Sequence, residues 1–426
     1  MLVNPFGGVV AALQLLPKDP DEPALPVVVG ARLADHPRLD PDRRYCSGKG
    51  MTAAEACAGA LGEALERYAS VSWPPAAVHH ARRDQLDGDV LDPRELVLYQ
   101  PDQYAELPYA PYAEEATMGW IVTRSLVSGS LVQVPAVAVL MGYAPASPAE
   151  RICPPTSSGI ATGATLGGAV LAALFEVLER DAFMVTWMNR LPACRVDPSD
   201  HPDRGVVDLC DAYARRGVAV ELYRLRTDHP CQVFLALAVQ QRGDGPAVVA
   251  GLGADLDPAL SARKAVLELG QVRPAVRIDL RSPRTRARVQ ALAEDPRRVS
   301  TPDDHALLYG DPRSAGALGF LRQSPLAAQD WAAPDGAGTG GRLERIVAAL
   351  RSQSSDVLYR DLTPPDMARL GLRSARVLVP GFQPIHFGWK EPRLGGRRLY
   401  DLPYRLGVTP APTTPATVNR DPHPLA

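Results

Sequence analysis

Lysine is nearly missing from this chain of 426 residues. Only Lys18, Lys49, Lys264 and Lys390 stand among 46 basic side chains, the other 42 being arginine. Such an imbalance reads as base-composition bias of the source genome, so arginine-rich stretches carry little functional weight by themselves. Cysteine is sparse too. Cys46, Cys57, Cys153, Cys194, Cys210 and Cys231 are scattered, with no C-x-x-C and no paired histidine spacing, which argues against a zinc site or a disulfide framework. No apolar run approaches the ~18 residues that span a bilayer. The start, Met1-Leu2-Val3-Asn4-Pro5, lacks the charged and apolar segments of a signal peptide. The expected location is the cytoplasm, away from membranes. A formal net charge of −2 argues against a general polyanion binder, and nucleic acid is not an expected partner.

What is present is an ordinary globular composition, 46% hydrophobic and 22% charged, in a chain long enough to bury a core without metal or disulfide staples. Proline is plentiful at 42 residues but spread out, and no domain boundary shows. Residues 1–45 read as short strands. Helices are predicted over 52–70, 166–187, 257–272 and 342–351, and a hairpin over 120–141 turning at Ser128-Gly129. Further strands are predicted at 218–223, 233–239, 357–361 and 376–379, while 283–345 reads as the least ordered stretch. The mixture indicates an α/β or α+β fold.

One internal echo carries chemistry. Laid over each other, residues 50–67 and 163–180 match at Gly50/Gly163, Ala56/Ala169 and Ala60-Leu61/Ala173-Leu174. The match ends in Glu63-Ala64-Leu65-Glu66-Arg67 against Glu176-Val177-Leu178-Glu179-Arg180. A weaker third echo lies at Ala265, Glu268 and Gln271. Glutamates three apart share a helix face. Two such carboxylates repel, and burying them is costly unless a cation neutralises them. Mg²⁺ takes carboxylate and phosphate oxygens together. The loops ahead of the helices, Ser47-Gly48-Lys49-Gly50 and Ser157-Ser158-Gly159 on to Gly163, offer backbone N–H groups and one lysine for phosphates. A single Glu-x-x-Glu-Arg is usually a solvated helix face; its repetition behind two glycine loops points to a divalent-metal phosphate site without naming a reaction.

These motifs resemble the YcaO family. The carriers are Ser47 to Arg67, then Ser158-Gly159-Ile160-Ala161-Thr162-Gly163-Ala164-Thr165 through Glu176 to Ala182, then Glu268-Leu269-Gly270-Gln271-Val272-Arg273. The resemblance implies one YcaO-type ATP-binding domain over 1–426, with mixed sheets and motif helices around a nucleotide. It implies Glu63, Glu66, Glu176 and Glu179 as Mg²⁺ ligands, and Ser47, Lys49, Arg67, Arg180, Glu268, Gln271 and Arg273 as contacts to ATP. Gly59 stands where relatives often have serine. The segments Val379 to Gly388 and Leu394 to Tyr400, with the tail Asn419 to Ala426, are similar to azoline-forming cyclodehydratases of thiazole/oxazole-modified peptide biosynthesis.

In that subgroup ATP phosphorylates a backbone amide oxygen while Cys, Ser or Thr closes onto the carbonyl, giving thiazoline or (methyl)oxazoline and releasing ADP and phosphate. Relatives end in a proline-rich tail that brings the terminal carboxylate to the active site. Pro422 and Pro424 match, whereas Ala426 replaces the final proline. His423 and the carboxylate of Ala426 are the candidate general bases, and the tail 415–426 is expected to reach toward the site. His36, His79, His80, His201, His229 and His305 read as structural or surface residues, and His386 as part of a core away from the nucleotide. The implied partners are a ribosomal precursor peptide and a separate E1-like (ThiF-like) protein that binds its leader, since the chain starts almost at the catalytic domain; whether a flavin dehydrogenase later oxidises the rings is left open by the sequence. A homodimer is left open by the sequence. Thioamide or amidine formation by the same family, or a non-catalytic peptide-docking adaptor, are the alternative readings.

Overall fold

The computed structural model describes residues 2–334, 336 and 338–425. Three sheets organise it. The first is antiparallel, Val10–Leu15, Val27–Leu33 and Tyr45–Gly50 in chain order. The second, also antiparallel, runs Val248–Asp255, Gln232–Gln240, Val218–Arg224, Cys194–Val196. The third has seven strands and is mixed, its single parallel pair joining Asp89–Val90 to Leu131–Pro135. Its far edge is Arg373–Leu378 beside Ile160–Gly163.

One device recurs in all three. The edge strand Tyr45–Gly50 leads into helix Ala53–Val71, Ile160–Gly163 into Leu166–Met188, and Val248–Asp255 into Pro258–Asp279. Each helix starts at a capping side chain. Thr52 Oγ1 accepts from Glu55 N at 3.2 Å, Thr165 Oγ1 from Gly168 N at 3.0 Å, and Asp257 Oδ1 from Ala259 N at 2.8 Å. Each helix then folds back over the strand that precedes it, and small residues permit the close crossing. A Cβ on Gly48 would sit 2.0 Å from Ala60 N, and one on Gly253 2.1 Å from Ser261 O, so only glycine fits there. Ala56, Ala60, Ala169, Ala173 and Ala265 form the matching helix faces, all fully buried.

The three units interlock. The first helix also packs on the edge strand Ile160–Gly163, the second on Val248–Asp255, and the third on Tyr45–Gly50. This cyclic contact directs the same face of each helix to a common centre.

Several expectations need correction. The stretch 283–345 contains helices Pro283–Glu294, Pro302–Leu308, Gly319–Arg322 and Thr339–Ser352. Pro283 and Pro302 sit in first turns, where no N–H is needed, so they start helices instead of breaking them. The hairpin over 120–141 is Met118–Ser125 with Leu131–Pro135, and Ala136–Val139 winds into a helical turn after Pro135. The third helix continues past 272 to Asp279 through a buried Pro274. The strand Val248–Asp255, missed for its glycines and alanines, is buried along its whole length.

Candidate active site

At the common centre Glu63, Glu176 and Glu268 occupy equivalent places on the three helices, and Glu66, Glu179 and Gln271 follow three residues later. Arginines reach them. Arg67 lies 2.6 Å from Glu63 and donates to the carbonyls of Arg43 and Tyr45. Arg180 approaches Glu176 at 3.7 Å and Glu179 at 3.9 Å, and its Nε has no hydrogen-bond partner. Lys49 lies 3.8 Å from Glu268. Backbone donors orient two carboxylates, Gly159 N to Glu176 and Leu252 N to Glu268, both at 3.0 Å. Gln271 donates to the Ser47 carbonyl at 3.0 Å and its hydroxyl at 2.7 Å, tying the third helix to the first strand unit.

The electrostatics are unbalanced toward acid. Burial, then repulsion from Glu176 and Glu63, pushes the Glu66 carboxyl well above the ordinary carboxylate range. Burial raises Glu176 as well, and lifts Glu179 to about 7 against the pull of Arg180. Arg180 loses solvation on burial, but Glu179, Glu176 and Glu268 outweigh that and hold its charge. Negative charge crowded into a partly desolvated pit is what a bound cation would relieve. The carboxylates are not drawn onto one point: among the described residues, no three His, Cys, Asp or Glu side chains are grouped to hold a metal by themselves. Oxygen donors from separate helices, with arginines between them, suit a metal that also takes phosphate oxygens.

Two cations escaped the sequence reading. Arg376, on Arg373–Leu378, is buried with its charge near Glu176 and Glu66, and burial lowers it to about 10. The signal was an arginine set among Ala375, Val377 and Leu378 in a buried strand segment. Lys264, four residues before Glu268 on one helix face, binds Asp255 at 2.9 Å and counts among the charges restraining Glu179.

Arg273 is turned away from the cluster. It is 1% exposed, ion-paired to Glu22 and bonded to Gln240, so its position corrects the expectation of a nucleotide contact. One residue off the repeat places it on another helix face. His423 is likewise fully buried. Its Nε2 bonds the His386 carbonyl at 2.6 Å, Leu425 N approaches its Nδ1 at 3.4 Å, and its ring stacks on His305 at 4.1 Å. Burial, then the neighbouring histidines, drives its pKa well below the ordinary value. A ring with both nitrogens engaged and no access to solvent is placed as an anchor, not as a base free to take a substrate proton. His305 does the same work for the tail, donating from Nδ1 to the His423 carbonyl at 2.8 Å. The tail docks where the second glutamate helix ends: Asn419 N donates to Met188 O at 2.7 Å, Trp187 Nε1 to Asp421 O at 2.7 Å, and Tyr309 to Pro422 O at 2.6 Å. Ala426 lies outside the described residues.

Comparison with known proteins gives this arrangement a family. The chain is similar to an uncharacterised protein of Methanothermobacter thermautotrophicus, 28% identical over 356 residues, covering 83% of this chain and 84% of that protein. It overlays on a heterocyclase in complex with substrate and cofactor with a TM-score of 0.80 at 25% identity, covering 100% of this chain and 56% of that one. The chain thus spans little more than half that heterocyclase's length. YcaO from Methanopyrus kandleri, bound with AMPPCP and Mg²⁺, shares the fold with a TM-score of 0.63 at 21% identity, covering 88% of this chain and 86% of that one. The family model described as YcaO cyclodehydratase, ATP- and Mg²⁺-binding, matches residues 47–383, and the chain belongs to the YcaO family.

Proposed function

We propose that the protein is an ATP-dependent peptide cyclodehydratase acting in the cytoplasm on a ribosomal precursor peptide. It phosphorylates a backbone amide oxygen and converts Cys, Ser or Thr into thiazoline or (methyl)oxazoline, releasing ADP and phosphate. The observation that carries this reading is the meeting of glutamates from three helices at one centre, Glu66 beside Glu176 and Glu176 beside Glu268, with carboxyls pushed up by burial and mutual repulsion. The similarity to a heterocyclase over the full chain supports it.

Glu63, Glu66, Glu176 and Glu179 would hold Mg²⁺, which when bound supplies positive charge to the phosphate oxygens. Lys49, Arg67 and Arg180 would turn part of their charge from the carboxylates to the triphosphate. Ser47, Glu268 and Gln271, which also tie the first and third units together, would add further contacts to the nucleotide. In the substrate, the thiol or hydroxyl attacks the preceding carbonyl carbon, the oxygen takes the γ-phosphoryl group, and phosphate departs with that oxygen as the amide nitrogen loses its proton. Amide oxygen is a poor leaving group until phosphorylated. The protein's part is to hold the amide in line with the nucleotide and to answer developing charge with fixed cations. Delivery of the peptide falls to a separate E1-like partner that binds its leader.

The test combines protein, Mg-ATP, candidate partner and precursor, following phosphate release and peptide mass together in wild type, Glu63→Gln and Glu176→Gln. The expected result is one water lost per phosphate released, absent in both variants. Absence of Mg²⁺-dependent nucleotide binding in the wild type overturns the reading.

A further inference from the structure

A second buried arginine, Arg398, has no part in the roles above. It opens the helix Arg398–Arg405, within the segment Leu394 to Tyr400 that the sequence singles out. Its side chain is 9% exposed, and its guanidinium is clasped from two sides. On one side Nε and Nη2 each donate to Asp181 at 2.8 Å, on the second glutamate helix. On the other, Nη1 and Nη2 donate at 2.9 and 2.6 Å to Asp228, in the loop between the strands Val218–Arg224 and Gln232–Gln240. Its Cζ lies 3.9 Å from the centre of the Phe382 ring, and Asp181 Oδ1 also accepts the backbone N–H of Gln383 at 2.8 Å. Burial works against the charge of Arg398, and Asp181 and Asp228 outweigh it. Asp181 is fully buried and follows Arg180 directly. Arg398 therefore joins three parts at one point: the helix that carries Arg180, the turn at 380–383 and a loop of the second sheet.

The two arginines differ in pairing. Arg180 stands 3.7 and 3.9 Å from its carboxylates with Nε unpaired, whereas Arg398 makes short bonds with all three of its nitrogens. A buried ion pair stabilises a fold no better than well-packed apolar side chains; what it adds here is a fixed relative geometry. The parts so fixed are Phe382 and Gln383 against Arg180. All three line one half-open groove, and among the described residues that line it stands none of the four proposed Mg²⁺ ligands. We propose that Arg398 is a positioning residue for the substrate peptide: by locking the 380–383 turn to Asp181, it sets the wall along which the amide approaches Arg180. This assignment rests on the cyclodehydratase reading, in which the amide reaches the nucleotide from a side free of metal ligands. The lock needs arginine. Lysine keeps the charge, but as a point donor it cannot hold both carboxylates and stack on Phe382.

Hydrogen exchange on the whole protein with Mg-AMPPCP, with and without the capped pentapeptide Gly-Ala-Gly-Cys-Gly, reads the wall directly. Phosphate release and peptide mass with Mg-ATP read turnover. In the wild type the peptide should slow exchange at 379–384. Arg398→Lys should abolish that slowing and lower kcat/KM for the peptide about ten- to hundredfold, the scale of a misplacement near 1 Å, while Mg-AMPPCP binding stays as in the wild type. Asp228→Asn, which loosens only the outer side of the clasp, should give a smaller loss of the same kind. Arg405→Ala is the control for a merely structural role: it removes the 2.8 Å bond from Arg405 to Asp228 and should leave both readouts unchanged. Slowing that survives in Arg398→Lys, no slowing at 379–384 in the wild type, or an equal loss in Arg405→Ala overturns the assignment. Slowing that depends on Arg398 without water lost from the peptide keeps the lock and removes the cyclodehydratase reading; ring closure untouched by Arg398→Lys does the reverse.

Discussion

Two buried clusters of titratable side chains lie along the second glutamate helix, and they are built on opposite terms. Around Glu66, Glu176 and Glu179 the like charges repel, Arg180 keeps an unpaired Nε, and burial lifts the carboxyls. Further along the same helix, His305 and His423 are neutral rings with both nitrogens engaged, wedged against Phe183 and Phe387. The first cluster stores an unmet electrostatic demand; the second has met its own. Burial and a displaced pKa are common to both. What separates a binding centre from a structural anchor is whether the polar groups are already paired.

The largest expected effect breaks the first cluster. Glu66→Gln should lower phosphate release by about 10²–10³-fold, the scale of removing one charge-stabilising group from an active site. The same change should raise the stability of the Mg²⁺-free protein, because it removes the cost of burying an acid beside Glu63 and Glu176. Calorimetry with and without Mg-ATP checks both signs. A variant that is both inactive and less stable in the absence of Mg²⁺ would mean the carboxylate is paired structurally.

Loss of the second cluster should read differently. His423→Ala removes a fully buried ring and its hydrogen bonds, and a loss of about 2–4 kcal/mol is expected in denaturant unfolding. The pH profile of whatever turnover remains should not move, which a general base would not allow. Deleting 422–426 should stop ring formation while Mg-ATP still binds; unchanged turnover in that truncation removes the tail from the catalytic machinery.

A third contrast lies in the sign of the pH dependence. Glu179 holds its proton up to about 7 in the folded chain against an ordinary 4.5. The folded state therefore binds the extra proton, and the Mg²⁺-free protein should lose stability as pH rises through that window. His305 is lowered to about 4 and His386 to about 3 from an ordinary 6.5. There the unfolded state binds the extra protons, and stability should be lost as pH falls below 6.5. Saturating Mg-ATP should flatten the first arm and leave the second. Flattening of both would place the histidines in the same site.

The glutamates were legible because a helix repeats its face every three to four residues, and the same run of Ala, Leu, Glu and Arg occurs twice. The third unit was fainter in the sequence. Its acidic pair has become Glu268 and Gln271, and its strand, Val248–Asp255, is rich in residues of weak strand preference. Arg376 was not legible as part of the site. It sits on a strand far along the chain, and only the pairing of Arg373–Leu378 with Ile160–Gly163 brings it beside Glu176. Arg273 misled for the converse reason: adjacency to a motif in sequence says nothing about helix face, and its partner Glu22 comes from a distant loop. The tail looked polar and proline-rich, yet its carbonyls are taken by Trp187, Tyr309 and His305.

The sequence by itself determined three helices with capped starts, alanine faces for close packing and glutamates at repeating positions, all set by contacts between near neighbours. Which strands those helices cross, the cyclic interlock that gathers their carboxylates, and the clasp of Arg398 between Asp181 and Asp228 were decided only by the tertiary structure. Each depends on segments tens to hundreds of residues apart, and no local preference specifies which distant groups share one low-dielectric pit.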